Sequence, residues 1–169
     1  LKPEHSRNLN LGLGYDKIFD NTHSVFVDAA FIYRDTRDFI REQVNYSKGG
    51  MYFTNHGKVS TIGFDVEARY MYKNALALGG NFTWQNIRNK EKLLLDGRDS
   101  PYYDNRMPNM PYMFSNVDAS YTFHSLMTKQ DQLVIGYGMR YVAKFNKSWT
   151  GLQGGDAIRT DNQLSHDLY

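Results

Sequence analysis

The chain has 169 residues, no cysteine and a formal net charge of +2. The lack of cysteine excludes disulfides and thiolate chemistry, and the small charge without a basic stripe gives no support for binding nucleic acid. The mean hydropathy of −0.62 and the lack of a long apolar run exclude a transmembrane helix, but not a membrane β-barrel. The 25 aromatic residues (13 Tyr, 10 Phe and 2 Trp) and only 4 prolines favour strands.

Six segments alternate apolar and polar residues with a period of two, which predicts β-strands whose two faces differ. They cover residues 9–15, 25–34, 62–72, 76–85, 116–123 and 133–141. In the third segment Ile62, Phe64 and Val66 share one face, while Asp65 and Glu67 share the other. Since sustained helical periodicity is missing, the sequence predicts an all-β protein.

The connections between these segments alternate between short and long. Roughly seven, three and eight residues close the three hairpins, whereas the connections around residues 35–58, 88–112 and 143–163 have roughly twenty or more. Successive hairpins predict an antiparallel up-and-down meander with all long loops at one rim. Outer-membrane β-barrels have this pattern, with short periplasmic turns and long external loops.

Two architectures fit the alternation, a membrane β-barrel with its apolar face outward and a soluble β-sandwich or lipocalin-like barrel with its apolar face inward. We expect the strands that contain these segments to run to roughly 10–12 residues, longer than the about 5–6 of globular strands and close to the about 9–11 that cross hydrocarbon. Aromatic residues also gather near the segment ends, as an interfacial girdle requires. We therefore expect the apolar set to face lipid, the charged set to face a wet or plugged lumen, and the tight turn at Lys73-Asn74 to be periplasmic.

Four motifs, in this order along the chain, resemble motifs of the TonB-dependent outer-membrane receptors. They are LKPEHSRNLNLGLGY at residues 1–15, YFTNHGKVSTIGFDVEARY at 52–70, NRMPNMPYMFSNVDASYTF at 105–123 and IRTDNQLSHDLY at 158–169. Gly63 and Glu67 fall at the matching places of the family's strand motif, and Pro108 and Pro111 precede a strand. The last motif is similar to receptors of the Bacteroidetes type.

The resemblance implies that residues 1–169 belong to the β-barrel domain of such a receptor. They would supply about six strands and the start of a seventh to a large transmembrane barrel of about 22 strands, with the plug domain, the TonB box and the terminal strands absent. Tyr169 could be mistaken for a barrel's terminal aromatic residue. Because Asp167, Ser165 and Gln163 precede it at every second position, where a lipid-facing strand needs apolar residues, we expect a truncated end.

The function that the resemblance implies is TonB-dependent uptake of a scarce nutrient across the outer membrane of a Gram-negative bacterium. The cargo could be a ferric siderophore, haem, cobalamin or a glycan. Expected partners are outer-membrane lipid, a small extracellular ligand, and TonB through the missing plug region, with no nucleic acid and no cofactor. Open sheet edges predict that the isolated chain self-associates. A soluble β-rich binding or adhesion module and a passive porin are the alternatives.

No constellation of residues predicts catalysis, so an enzyme is not expected. Ser165, His166 and Asp167 are neighbours in sequence, and adjacent side chains point in divergent directions instead of forming a triad. The histidines lack the spacing of metal ligands, so no metal site is expected. The carboxylates of residues 96–105 could wrap calcium, but a solvated loop tip is the simpler interpretation.

The loop of residues 88–107 is the best candidate for contact with an extracellular ligand. Before Pro101 it contains four basic residues, namely Arg88, Lys90, Lys92 and Arg98. Guanidinium groups and tyrosine rings suit anionic, catecholate-like or sugar ligands. The predicted ligand-binding residues are Arg98, Tyr102, Tyr103 and Arg106. Weaker candidates of the same kind in the other two long loops are Tyr46, Tyr52, Phe53 and Trp149.

Overall fold

The computed structural model describes residues 1–45, 50–55, 57–149 and 158–169. Its strands, in chain order, are β1 (His5–Phe19), β2 (His23–Arg37), β3 (Ile40–Asn45), β4 (Gly50–Asn55), β5 (Lys58–Tyr72), β6 (Leu76–Asn89), β7 (Met113–His124), β8 (Gln132–Val142), β9 (Phe145–Asn146), β10 (Arg159–Thr160) and β11 (Gln163–Leu168). Across these residues the structure has no helix with the length and apolar character needed to cross a membrane.

Seven strands form one sheet in the order β1-β2-β5-β6-β7-β8-β11, and each neighbouring pair is antiparallel. The six predicted segments correspond to β1, β2, β5, β6, β7 and β8, and the predicted start of a seventh strand corresponds to β11. The all-β antiparallel up-and-down meander is therefore confirmed. β1, β2 and β5 have 15 residues each and are longer than predicted, whereas β7 and β8 have the predicted length, with 12 and 11 residues.

Most of the extra strand length lies at the end of the sheet where the polar residues accumulate. β1 begins at His5, four residues before the predicted segment, and its first pairs are His5↔Arg37 and Ser6↔Thr36. Because backbone hydrogen bonds extend a strand whatever the side chains, these pairs form where no apolar alternation is left to reveal them.

The first and third long connections contain short strands that the alternation does not predict. β3 pairs with β4 from Ile40↔Asn55 to Asn45↔Gly50, and β9 pairs with β10. The β3–β4 hairpin is attached at its base, where the Phe39 amide donates to the Gly57 carbonyl over 3.1 Å. The side-chain amide of Asn55 also donates to the Asp38 carbonyl over 3.0 Å. These polar contacts order the connection without a period-two apolar pattern.

The two faces of the seven-stranded sheet differ in the way that the sequence predicts. The register aligns Leu13, Ala29 and Val66 in a row on what we call the apolar face. Neighbouring Gly14, Asp28 and Glu67 form a row on the opposite, polar face. On the apolar face Leu11 is 60% exposed and Leu13 is 78% exposed.

The described part of the chain has almost no buried core. Only two of its hydrophobic residues are buried, Val59 and Ala143. A soluble β-sandwich buries one face of each of two sheets against the other, and no second sheet covers the apolar face among the residues described. The soluble sandwich therefore does not fit this fold, because its defining core is missing.

Polar contacts cross the polar face from strand to strand. Thr83 donates to Asp65 over 2.5 Å, and Asn116 donates to Asn81 over 2.9 Å. The next contact continues across β7 and β8, where the Arg140 guanidinium donates to Asn116 over 3.3 Å. These polar side chains therefore hydrogen-bond to one another across neighbouring strands.

Two of the three short connections are tight turns. Lys73 and Asn74 have positive φ of 49° and 52°, and Asp20 and Asn21 have positive φ of 49° and 53°. In the first of these turns the Ala75 amide donates to the Tyr72 carbonyl over 2.9 Å. Consecutive positive φ values match the twist of an antiparallel hairpin, and asparagine tolerates them well. The predicted tight turn at Lys73-Asn74 is confirmed.

Tyr169 lies on a different face from the one that the sequence interpretation assumed. Its backbone continues the ladder to Gly136, with hydrogen bonds of 2.7 and 3.0 Å, and its ring lies against that glycine on the polar face. Ser165 pairs with Arg140 and Asp167 with Gly138, so they share that face, and Leu164 and Leu168 are on the apolar face. Polar residues are expected on this face of the sheet, so Ser165 and Asp167 fit β11 as an ordinary strand of the sheet. The sequence interpretation placed them on the lipid-facing side, where they would not fit.

Candidate functional site

The three long connections lie at the same end of the sheet, because the strands of a meander alternate in direction. They join β2 to β5, β6 to β7 and β8 to β11. We call this end of the sheet the loop end, and the opposite end, which carries the connections at residues 20–22, 73–75 and 125–131, the turn end. The prediction that the long loops share one rim is confirmed.

The connection between β6 and β7 is folded into an irregular hairpin. Isolated bridges pair Arg88 with Arg106 and Leu93 with Asp99. Asn89 is 3% exposed and anchors the base of this hairpin. Its amide donates to the Asn105 carbonyl over 2.9 Å, its carbonyl accepts from the Asp104 amide over 2.8 Å, and its side chain donates to the Tyr102 carbonyl over 3.1 Å.

Most of the basic residues in this loop form ion pairs with carboxylates of the same loop. Asp104 pairs with Arg88, at 3.3 Å between Nη1 and Oδ2, and with the Lys90 ammonium. The hydrogen bond from Lys90 is the largest cause that lowers the pKa of the Asp104 carboxyl below its usual value, and the charges of Lys90 and Arg88 add to it. Charge-assisted hydrogen bonds therefore join the two sides of this hairpin at its base.

The tip of the loop has its own compensated pair. Nη2 of Arg98 lies 2.6 Å from Oδ2 of Asp96, and the Arg98 amide also donates to that carboxylate over 3.1 Å. The side-chain hydrogen bond between them lowers the pKa of Asp96 and raises that of Arg98. Gly97, between them, has a φ of +83° that a glycine adopts without strain. The pair closes a solvated turn.

Each of the four predicted ligand-binding residues has a different neighbour. Tyr102 packs on Trp149 with 4.7 Å between ring centroids, and the Lys92 ammonium lies 5.7 Å from the centre of the Tyr103 ring. The Arg106 guanidinium lies 4.5 Å from the centre of the Tyr112 ring and donates from Nε to Asn86 over 3.3 Å. Arg98 pairs with Asp96, as described above. The structure thus places all four in one loop, in four separate local environments.

The contact of Tyr102 with Trp149 joins the β6–β7 and β8–β11 connections. It places Trp149, a weaker candidate for ligand binding, beside Tyr102, one of the four predicted ligand-binding residues. A backbone hydrogen bond from Asn109 to the Asn146 carbonyl, over 2.7 Å, joins the same two connections. Tyr52 and Phe53 are exposed on β4. Tyr46 lies outside the described residues.

A pocket of about 280 Å³ lies between these two connections. Arg106, Tyr112, Lys144, Phe145 and Arg159 are among the residues that line it. Lys144 and Arg159 are not predicted from the sequence, because they are far apart in the chain and only the β9–β10 pairing and the end of β8 bring them to Arg106. No local sequence signal marks this convergence.

The described residues hold no cluster of three or more His, Cys, Asp and Glu side chains that could bind a metal. Ser165, His166 and Asp167 lie on the strand β11. Ser165 and Asp167 are on the polar face, and His166 is on the other face, where Nδ1 lies 2.6 Å from the Tyr137 hydroxyl. The serine and histidine side chains thus lie on opposite faces of the strand, whereas a catalytic triad requires them to hydrogen-bond to each other.

Comparison with known proteins identifies the family. The family described as TonB dependent receptor-like, beta-barrel matches residues 1–169. A search of curated proteins found no match. Among solved structures, the FrpB iron transporter from Neisseria meningitidis is 19% identical with a TM-score of 0.65, over 99% of this chain and 24% of that one.

Two further solved structures have the same fold over this length. The ferric yersiniabactin uptake receptor FyuA from Yersinia pestis is 17% identical, with a TM-score of 0.66 over 96% of this chain and 22% of that one. The copper transporter OprC is 17% identical, with a TM-score of 0.67 over 99% of this chain and 23% of that one. This chain spans about a quarter of the length of these structures. It belongs to the family of TonB-dependent receptor-like β-barrels.

Proposed function

We propose that the chain forms part of the barrel wall of an outer-membrane receptor that imports a scarce nutrient with energy supplied through TonB. Family membership supports the receptor class. The similar structures are an iron transporter, a ferric yersiniabactin uptake receptor and a copper transporter, which favours a metal or a metal complex as cargo. The Bacteroidetes type of receptor stays a prediction.

The observation that carries this proposal is the single-layered sheet with two chemically different faces. Its apolar face exposes large side chains, among them Leu11 and Leu13, and only Val59 and Ala143 are buried hydrophobic residues in the described part. An exposed apolar surface of this extent indicates contact with a membrane or with another protein surface. Lipid covers such a face in an outer-membrane barrel, and the opposite face borders the lumen.

The architecture of the whole protein follows from this proposal. The seven sheet strands would make up about a third of a closed barrel of about 22 strands, with the plug domain and the remaining strands contributed by other parts of the protein. The loop end would face the outside of a Gram-negative cell, and the turn end would face the periplasm. TonB would contact the plug, not the residues of this chain.

We also propose that the connection between β6 and β7 contacts the ligand through Arg98, Tyr102, Tyr103 and Arg106. Arg98 and Tyr103 are exposed at the loop end, where a ligand arrives first. Tyr102 offers a ring already held against Trp149. Loops on a rigid scaffold concentrate binding residues, and rings with guanidinium groups bind anions and planar groups.

The experiment is uptake of iron complexes by cells that depend on the complete protein, with and without TonB. We expect uptake to require TonB, and we expect the Arg98→Ala, Tyr102→Ala, Tyr103→Ala triple variant to take up less at limiting cargo while assembling normally in the outer membrane. Uptake that is independent of TonB would indicate a passive porin and contradict the proposal. Unchanged uptake by the triple variant would remove this loop from the binding site.

A further inference from the structure

We infer that the pocket between the β6–β7 and β8–β11 connections binds a small organic anion that combines an acidic group with a flat apolar body. This inference rests on the proposed function and assigns a ligand class to a site that includes Arg106, Lys144 and Arg159. The pocket volume of about 280 Å³ is near the lower end of small-molecule sites, about 300–1,000 Å³. It suits one ring-sized group of a ligand.

The pocket carries positive charge that no carboxylate compensates among the described residues. No Asp or Glu lines the pocket among the described residues, and none of the ion pairs found in that part of the chain involves Arg106, Lys144 or Arg159. The nearby loop behaves differently, because its Arg88, Lys90 and Arg98 already pair with carboxylates. Arg106, Lys144 and Arg159 all line this one small volume, so an anion bound there would offset their positive charges.

Hydrogen bonds hold the backbone around these cations in place. The Lys144 amide donates to Asn162 over 2.9 Å, and Ala143, which is 0% exposed, donates to the Met113 carbonyl over 2.9 Å. Arg159 pairs with Asn146 across the β9–β10 ladder, and the Asn146 carbonyl accepts from Asn109. The positions from which the cations extend are therefore fixed before a ligand binds, which lowers the entropy cost of binding.

Much of the remaining lining of the pocket is apolar. Tyr112 and Phe145 supply two aromatic rings, and Met107 and Met110 supply flexible thioethers. The Arg106 guanidinium already covers one face of the Tyr112 ring, so a planar ligand would stack on the guanidinium plane or on the Phe145 ring while its acidic group contacts the cations. Aromatic and methionine side chains favour a flat apolar body, and neither favours a fully hydrated inorganic anion.

The test measures binding of salicylate, an aromatic carboxylate, to the complete protein in detergent by titration calorimetry. Salicylamide has the same ring without the charge and serves as the neutral probe. We expect salicylate to bind more tightly than salicylamide, and its affinity to fall by about tenfold or more in the Arg106→Gln, Lys144→Gln, Arg159→Gln triple variant, because charge-assisted hydrogen bonds are lost. Salicylate affinity should also fall as salt is added.

A matched control removes three positive charges at the turn end, through Lys17→Gln, Lys73→Gln and Lys129→Gln. We expect this variant to bind salicylate like the parent, which separates local contacts from net charge. The single Lys144→Gln variant, whose ammonium has no partner among the described residues, provides a milder change that keeps the test valid if the triple variant does not assemble. We expect it to weaken salicylate binding by several-fold.

Equal binding of salicylate and salicylamide, or unchanged salicylate affinity in the Lys144→Gln variant, would overturn the inference. Uptake of iron complexes by the same strains, with and without TonB, tests the proposed receptor function separately. TonB-dependent uptake together with unaffected salicylate binding contradicts the pocket alone. Loss of salicylate binding in the pocket variant without any TonB-dependent uptake in the parent supports the pocket and contradicts the receptor.

Discussion

At the scale of single residues, close approach between neighbouring strands determines which positions accept a side chain. A Cβ added at Gly63 would lie 2.7 Å from the backbone carbonyl oxygen of Trp84, and a Cβ at Gly138 would have no heavy atom within 4 Å. Both glycines are on the polar face. The backbone of a paired strand cannot move aside as a flexible side chain can, so the two positions should differ in their tolerance.

We predict that Gly63→Ala destabilises the complete barrel by about 1–3 kcal/mol, the usual cost of overpacking. The matched control, Gly138→Ala, should change stability by much less. Urea unfolding in detergent or lipid gives both values. A Gly63→Ala variant that is as stable as the control would mean that β5 and β6 are not as close at this point as the structure indicates.

Several residue positions could be predicted from the sequence, because their signal is local. Ile62 and Asp65 reveal their faces through alternation, and Lys73-Asn74 reveals a turn through its place between two strands. The pocket could not be predicted in this way. Lys144 lies between β8 and β9 and Arg159 lies on β10, and only long-range pairing places them beside Arg106.

At the scale of elements, the loop between β6 and β7 is held by paired charges at its base. The sequence shows its four basic residues, but the pattern does not show that Asp104 takes two of them. The β3–β4 hairpin is another element without a sequence signal, because its strands carry no clear alternation of apolar and polar residues. Short strands in polar loops depend on backbone pairing, which composition does not report.

The pairing of Asp104 predicts a loop that loosens in acid. Its folded pKa is lowered, so the carboxylate contributes stability above its unfolded pKa of about 3.9, and this contribution is lost as the pH falls through the folded value. We expect amide protection at Asn89 and Asp104 to fall between about pH 4 and more acidic values, measured by hydrogen exchange corrected for intrinsic rates.

The Asp104→Asn variant should already have the low protection at neutral pH and change little on acidification. Asp16→Asn, in β1 and away from this loop, is the control and should keep the parent's pH dependence. If the parent and the Asp104→Asn variant have the same protection at neutral pH, the two ion pairs do not hold the base of the loop.

At the scale of the whole molecule, no described residue pairs with the outer edges of β1 and β11 or covers the apolar face of the seven-stranded sheet. Unpaired edges and exposed apolar area both favour association. We predict that the isolated 169-residue chain forms large or multiple species in plain buffer and smaller species in detergent, as sedimentation velocity would show. A stable monomer in plain buffer would instead support a soluble binding module.

The most direct test of the account is whether β5 alternates between lipid and lumen in the complete protein. The chain lacks cysteine, so single cysteines can be introduced at Phe64, Asp65, Val66 and Glu67 and labelled with nitroxide. Electron paramagnetic resonance then compares access to oxygen, which dissolves in lipid, with access to a water-soluble nickel chelate. Labels at positions 64 and 66 should be accessible to oxygen and shielded from nickel, whereas labels at 65 and 67 should be less accessible to oxygen. Uniform accessibility, or the reverse alternation, would contradict a lipid-facing apolar surface.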